Sequence, residues 1–296
     1  MLLTAVAPAV WGTTYYVTTE YLPPDRPLLA GVLRALPAGL LLVALTRRRP
    51  HGVWWWRSLL LGTLNIGAFF ALLFIAAYRL PGGVAATVGA VQPLLVAGLS
   101  AGLLGDRLTA RTVLTGLTGV LGVGLLVVQP GARLDGLGIA AAAGSAVVMA
   151  TGVVLSKRWP APAPLLAVTG WQLVAGGTVL LPVALLVEGP PPSSLSAGNV
   201  LGYAYLTLIG AAVAYTLWFR GIRELPPTNV TFLTLLSPTV ATIVGWLALG
   251  QDLGPLQVVG GVLILGSLVF AQLRRRPSPA PVRAAGGPAA VQDLNA

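Results

Sequence analysis

Arg34 is the one ionisable residue set well inside an apolar run of this sequence. It follows Pro27 by about two helical turns, which places it about 10 Å from the start of that run. A charge at such a depth is costly and marks either a functional site or a specific structural pairing. As a functional group it is a counter-charge for an anionic part of a substrate, or a gating partner. As a structural group it snorkels outward or bonds neighbouring backbone carbonyls. The uncharged polar and aromatic residues within the apolar runs are the other candidates. Trp11, Thr14 or Tyr15, and Thr18 share one face at helical spacing. Asn65 and Phe69 form an i, i+4 pair, and Tyr215 and Trp218 lie one turn apart. Gln92 stands before Pro93, whose ring removes a backbone hydrogen bond and frees a carbonyl nearby. Ser237 stands before Pro238 in the same way, with Thr234 one turn earlier. Taken singly, each has an ordinary explanation in back-bonded hydroxyls or packed rings. As a set, their convergence on two proline-containing runs favours a cavity, because irregular backbone at membrane depth is tolerated where it faces protein or water.

Such a cavity suits a small-molecule substrate that is neutral, zwitterionic or aromatic: rings supply apolar contact, while amides and hydroxyls supply orientation. Pro93, Pro238 and Gly12 are the candidate hinge or gating positions. Catalysis finds no equipment here. All eight acidic residues fall at the ends of apolar runs, in loops or in the C-terminal tail; His51 is the single histidine, and cysteine is absent. No serine–histidine pair or pair of membrane aspartates is available for hydrolysis. No metal site and no cofactor is expected. The lack of buried carboxylates and histidines also argues against a proton relay, and transport down the solute gradient or by exchange is expected. Glu20, at the rim of the first run, is the residue through which protons could still couple.

The elements that position these residues are membrane helices. The 296 residues are 56% hydrophobic and only 9% charged, and the mean hydropathy is +0.84, which no ordinary soluble chain of this length shows. Ten apolar runs, each long enough to cross a bilayer as a helix, are predicted: about Leu2 to Thr19, Pro27 to Leu45, from after Trp54-Trp55-Trp56-Arg57 to Tyr78, Gly82 to Leu104, Thr112 to Val128, Leu137 to Leu155, Leu165 to Val187, Val200 to Phe219, Asn229 to Leu249, and Leu256 to Leu273. The tryptophan–arginine cluster is expected in the headgroup layer. A net charge of +10 could signal nucleic acid, but the positive residues lie in short loops. With both termini cytoplasmic, fourteen lysines and arginines fall inside and only Arg26, Arg79 and Arg133 outside, the asymmetry of a multi-pass protein in a lipid bilayer. Nucleic acid is therefore not an expected partner. The first run has no basic segment ahead of it and reads as a retained span.

The chain also repeats itself. Leu80-Pro81, Pro93, Gly105 and Leu108 recur as Leu225-Pro226, Pro238, Gly250 and Leu253, without a gap, at a spacing of 145. Ala9-Val10, Thr14, Val17 and Pro23 recur at a spacing of 137 as Ala146-Val147, Thr151, Val154 and Pro160. Residues 1–130 and 135–273 are the two repeats, and 274–296 form a Pro/Ala/Gly-rich cytoplasmic tail expected to be disordered. Five spans per repeat is an odd number, so the halves must insert with opposite topology. Inverted repeats of this kind build carriers with a midplane site. Glycines at 116, 119, 122, 124, 260, 261 and 266 mark small helix faces. These suit packing within the chain better than a homodimer, which stays open.

The first span, Ala7-Pro8-x-x-Trp11-Gly12-Thr13-Thr14-Tyr15, the arginine early in the second, and the mid-span Pro93 followed by Gly105-Asp106-Arg107-Leu108-Thr109 together resemble the EamA family of the drug/metabolite transporter superfamily. The opening, Trp11 to Tyr16 followed by Leu22 to Pro27, looks closest to the PecM-like exporters of pigments and metabolites. The resemblance covers about residues 2–273. It implies an all-α membrane protein of ten transmembrane helices in two inverted five-helix repeats, with a cavity lined mainly by spans 1, 3, 4, 6, 8 and 9. It also implies a bacterial inner-membrane location and export of small organic metabolites such as amino acids or aromatic, pigment-like compounds. A passive channel, and a membrane sensor or scaffold without transport, are the alternatives. One departure is that Gly250 is followed by Gln251-Asp252, not directly by an acid.

Overall fold

The computed structural model describes residues 1–79, 82–127, 135–250 and 254–272. The sequence features at Leu80-Pro81, Arg133, Gln251-Asp252-Leu253 and the tail from 274 onward lie outside the described residues, as do the side chains of Tyr15 and Tyr78. Among the described residues every regular element is helical. In lipid this follows from the backbone, because a helix satisfies its own N–H and C=O groups where no water can.

α1 (Leu2–Tyr21) and α2 (Pro27–Thr46) are joined by a short turn, and Pro27 opens α2, where its missing N–H costs nothing. α3 (Trp54–Gly62) runs through a π-helical turn, Thr63–Gly67, into α4 (Ala68–Arg79). α5 (Gly82–Gly89) and α6 (Gln92–Leu104) are separated by a turn at Ala90-Val91. α7 (Ala110–Val127) follows, then α8 (Gly136–Arg158), whose first turn is capped by Asp135 through Gly138 N at 2.6 Å. α9 (Leu165–Glu188) is followed by α10 (Ala197–Thr207), which starts at a Ser196/Asn199 capping box. α10 continues through a second π-helical turn, Leu208–Val213, into α11 (Ala214–Glu224). α12 (Pro227–Phe232), a 3-10 turn at Leu233–Leu235, α13 (Leu236–Leu249) and α14 (Pro255–Gln272) complete the chain. Among the described residues seven helical stretches are long and apolar enough to cross a bilayer, and Ala110–Leu126 and Pro255–Ala271 are shorter apolar helices.

Three backbone irregularities recur at the 145-residue spacing. Thr63–Gly67 maps onto residues 208–212, inside the second π turn. The break at Ala90-Val91 ahead of Pro93 has its counterpart in the 3-10 turn ahead of Pro238. Gly105 and Gly250 end α6 and α13 in the left-handed conformation, φ 75° and 64°, which glycine adopts without a Cβ penalty.

The two halves interleave. α2 and α3 pack on α9, α4 and α6 on α8, α1 on α11 and α13, and α7 on α14. The core accordingly draws side chains from both: Val32, Ile66 and Val96 meet Met149, Val153, Leu173, Tyr215 and Trp218. The α7–α14 contact depends on small residues. A Cβ on Gly260 would lie 2.5 Å from Leu126 N and 2.6 Å from Gly122 O, so only glycine permits this approach. Gly266 meets nothing nearby and takes no part. The outward faces of α7 and α14 (Leu114, Leu121, Val262, Val269) are exposed and apolar, as a lipid contact requires.

The tryptophan cluster differs from expectation in one member. Trp55 and Trp56 are exposed, as a headgroup position requires, but Trp54 is buried, 6.4 Å from the Trp171 ring. Helix α3 begins at Trp54 instead of after Arg57, and Arg57 lies over the rings of Trp54 and Trp159. Stacking on indole gives that guanidinium a partner outside water.

Candidate functional site

The wider π turn at Leu208–Val213 opens the helix and leaves the Gly210 carbonyl to accept bonds from other helices. Two side chains reach it: Trp11 Nε1 from α1 at 3.1 Å, and Arg34 Nη2 from α2 at 2.8 Å. Two further bonds hold the same rod to the same neighbours. Thr13 Oγ1 and Tyr205 OH are 2.7 Å apart, and Thr207 Oγ1 donates to Leu33 O at 2.8 Å. Arg34 is thereby tied to backbone, as its structural reading requires, and it also lies over the Phe70 ring at 5.6 Å.

Aromatic side chains collect beside this node. The Trp11 ring lies 5.2 Å from Tyr215 and 5.3 Å from Trp218, and Tyr215 in turn lies 5.9 Å from Phe219. Phe69 packs on Phe70 at 5.6 Å. Trp11, Arg34, Tyr215 and Trp218 are thus brought together, with Phe69 at the edge. Thr14 Oγ1 is buried and has no hydrogen-bond partner. Trp218 is fully buried, yet its indole N–H also lacks an acceptor, and so does Arg34 Nε.

Asn65 belongs to a different node. Its Nδ2 donates to Gln172 Oε1 at 3.0 Å and to Ser156 Oγ at 3.2 Å, joining the α3–α4 rod to α9 and α8. It is completely buried, and Gly152 is the residue that makes room for its side chain. Gln92 is buried at the start of α6 with Nε2 unpartnered. Thr234 donates back to Thr231 O at 2.6 Å, the ordinary fate of a helix hydroxyl. Gly12 is a point of close approach: a Cβ there would lie 2.6 Å from Ser237 O and 2.7 Å from Val240 Cβ. Pro93 and Pro238 each follow a helix interruption.

Sequence reasoning missed Gly210, Thr13, Tyr205, Thr207, Gln172 and Ser156. One signal was available. The 145-residue spacing pairs Asn65 with Gly210, so a polar residue buried in one repeat pointed to its mate. Among the described residues no group of three or more histidine, cysteine or acidic side chains could hold a metal. A surface groove of about 490 Å³, lined by Val262, Leu265, Gly266, Val269 and Phe270, is apolar and lies on α14, away from these nodes.

Polar bonds tie helix ends together at both ends of the helix bundle. At one end the Glu188 carboxylate accepts from Leu28 N and Leu29 N at 2.5 and 2.8 Å, capping α2. There too Arg26 donates to Pro190 O, and Asn199 Nδ2 to Tyr21 O at 2.9 Å. At the other end Lys157 Nζ donates to Arg223 O at 2.6 Å and Leu225 O at 3.2 Å, Arg158 Nη1 to Leu103 O at 2.6 Å, and Trp171 Nε1 to Arg48 O at 2.8 Å.

Comparison with known proteins gives this architecture a family. The model of the EamA-like transporter family matches twice, over residues 1–128 and 136–272. Protein PecM of Dickeya dadantii is 47% identical over 268 residues, covering 90% of each chain. The protein named "Probable terminal-alkyne amino-acid exporter" of Streptantibioticus cattleyicolor is 29% identical over 273 residues, 88% of this chain and 87% of that one. A crystal structure of a protein with 22% identity matches with a TM-score of 0.79 over 92% of this chain and 96% of its own, which speaks to the fold alone. This chain belongs to the EamA-like transporter family and is a multi-pass membrane transporter, not an enzyme.

Proposed function

We propose that the protein is a secondary carrier, working as an exporter, for small organic metabolites with amino-acid-like or aromatic bodies, and that it moves them by alternating access. In this reading the chain crosses the inner membrane ten times as two inverted five-helix repeats, residues 1–130 and 135–273, with both termini in the cytoplasm. One observation carries it: the two π turns occur in equal register, and each is met by polar side chains from the opposite half. Gly210 receives Arg34 and Trp11, while Asn65 reaches Gln172 and Ser156. Paired irregular turns at membrane depth, in a twofold-related register, are what a midplane site between inverted repeats requires. The name of the amino-acid exporter relative supports an organic solute as cargo.

The contacts assigned to the solute are Trp11, Thr14, Tyr15, Arg34, Phe69, Gln92, Tyr215 and Trp218. Asn65, Thr234 and Ser237 line the moving helices around them, and Gly12, Pro93 and Pro238 are the positions at which those helices rearrange. Purified protein in liposomes, loaded with unlabelled amino acids, aromatic pigments or nucleoside-like compounds, tests the reading. A carrier takes up labelled solute faster when the same solute is trapped inside. Flux that is indifferent to trapped solute is the behaviour of a channel and refutes it.

A further inference from the structure

Around Gly210 the donors outnumber the acceptors. One carbonyl oxygen already serves both Trp11 Nε1 and Arg34 Nη2, which therefore lie within about 6 Å of each other. The Trp218 ring is 5.3 Å from that of Trp11. Yet Arg34 Nε and Trp218 Nε1 are both buried and find no acceptor among the described residues. Arg34 also has no counter-ion among the described residues. The described carboxylates sit at helix ends and are engaged or exposed there: Asp135 pairs with Arg79, Glu224 with Arg220, and Glu188 caps α2. A buried cation with an idle N–H and a buried indole with an idle N–H, linked through the Trp11 side chain and the Gly210 carbonyl, offer donors to a negatively charged acceptor group.

We propose that this receptor takes the carboxylate of a monoanionic solute with an aromatic or apolar body, and that it prefers a bare monocarboxylate to an amino acid. The inference rests on the carrier reading above and specifies its solute. One guanidinium balances one negative charge; a phosphate dianion would leave an uncompensated charge in low dielectric. A carboxylate has two oxygens, one for Arg34 Nε and one for Trp218 Nε1, while the body lies against the rings of Trp11 and Tyr215. An α-ammonium group finds no carboxylate near the node among the described residues, only ring faces, neutral hydroxyls such as Thr14 Oγ1 and the already shared Gly210 oxygen. The ammonium of an amino acid therefore loses hydration without gaining an ion pair.

The test is equilibrium dialysis of the protein in nanodiscs against four labelled probes of matched shape: 3-phenylpropionate, 3-phenylpropionamide, L-phenylalanine and 2-phenylethylamine. The propionate is expected to bind about tenfold or more tighter than the amide, as a charge-assisted hydrogen bond implies, and tighter than phenylalanine. Phenylethylamine is expected to bind most weakly. Trp218→Phe keeps a ring but removes the N–H, and it should cut propionate binding about tenfold while leaving the amide within about twofold. Arg34→Gln should abolish the preference for the propionate. Equal binding of propionate and amide, tighter binding of phenylalanine, or an unchanged preference in Trp218→Phe overturns the inference. Counterflow of the same probes in liposomes separates the two readings. Counterflow without a carboxylate preference leaves the carrier and removes this receptor. A carboxylate preference in binding without counterflow supports the receptor and removes the carrier.

Discussion

Arg34 shows how far a single residue could be read. Its depth and charge were legible in the sequence, and so were its two possible roles. Its partner was not, because the acceptor is the backbone of a glycine 176 residues away that no side chain advertises. The same holds for Asn65, whose polarity was visible but whose partners on α8 and α9 depend on how the halves interleave. A double-mutant cycle of Asn65→Ala and Gln172→Ala should show a coupling of about 0.6 kcal/mol, with about 1.7 as the upper bound for hydrogen bonds between membrane helices. Additive losses in thermal unfolding would mean that the bond contributes nothing. Gly12 offers a cleaner case. Gly12→Ala places a methyl 2.6 Å from Ser237 O and should cost about 1–3 kcal/mol through overpacking. Gly98→Ala, where nothing lies within 4 Å, is the control and should leave stability unchanged. Equal melting temperatures for the two variants would contradict the close approach of α1 and α13.

At the level of the helices, apolar runs and prolines did most of the work. The runs marked the helices to within a few residues, since about 20 apolar residues leave little alternative in a bilayer. The mid-run prolines marked where α5–α6 and α12–α13 are interrupted. The π turns left no such mark. The partners of these turns lie far away in sequence: Trp11 and Arg34 for Gly210, and Ser156 and Gln172 for Asn65. Trp54 was misplaced for a related reason: its indole and Trp171 are brought together only by the packing of α3 on α9. If the prolines serve motion, Pro238→Ala should leave the melting temperature unchanged or raised, because proline within a helix costs stability. Counterflow should nevertheless slow. Faster counterflow, or wild-type counterflow in a variant whose helix has become continuous, would assign Pro238 a structural role only.

Across the molecule, the internal repeat was the most legible feature, and it paired the proline and glycine interruptions, Pro93 with Pro238 and Gly105 with Gly250, though not the π turns. The distribution of arginines predicts that the Glu188–Gly198 loop is outside. The natural chain lacks cysteine, so Ser194→Cys gives a single reporter, and an impermeant maleimide should label it in intact cells. Labelling only after lysis would reverse the topology. The latches at the two rims could not be read from sequence, because each joins side chains to the carbonyls or N–H groups of helix ends distant along the chain. They bear most directly on alternating access. In the proposed topology Lys157 and Arg158 hold the cytoplasmic rim closed, and Glu188 and Asn199 hold the outer one. The deciding measurement is the reactivity of Thr14→Cys, in the buried centre, towards an impermeant maleimide applied to right-side-out and inside-out vesicles, with and without Lys157→Gln and Arg158→Gln. The account predicts that weakening the cytoplasmic latch raises reactivity from the cytoplasmic side and lowers it from outside. A simultaneous rise from both sides would contradict it.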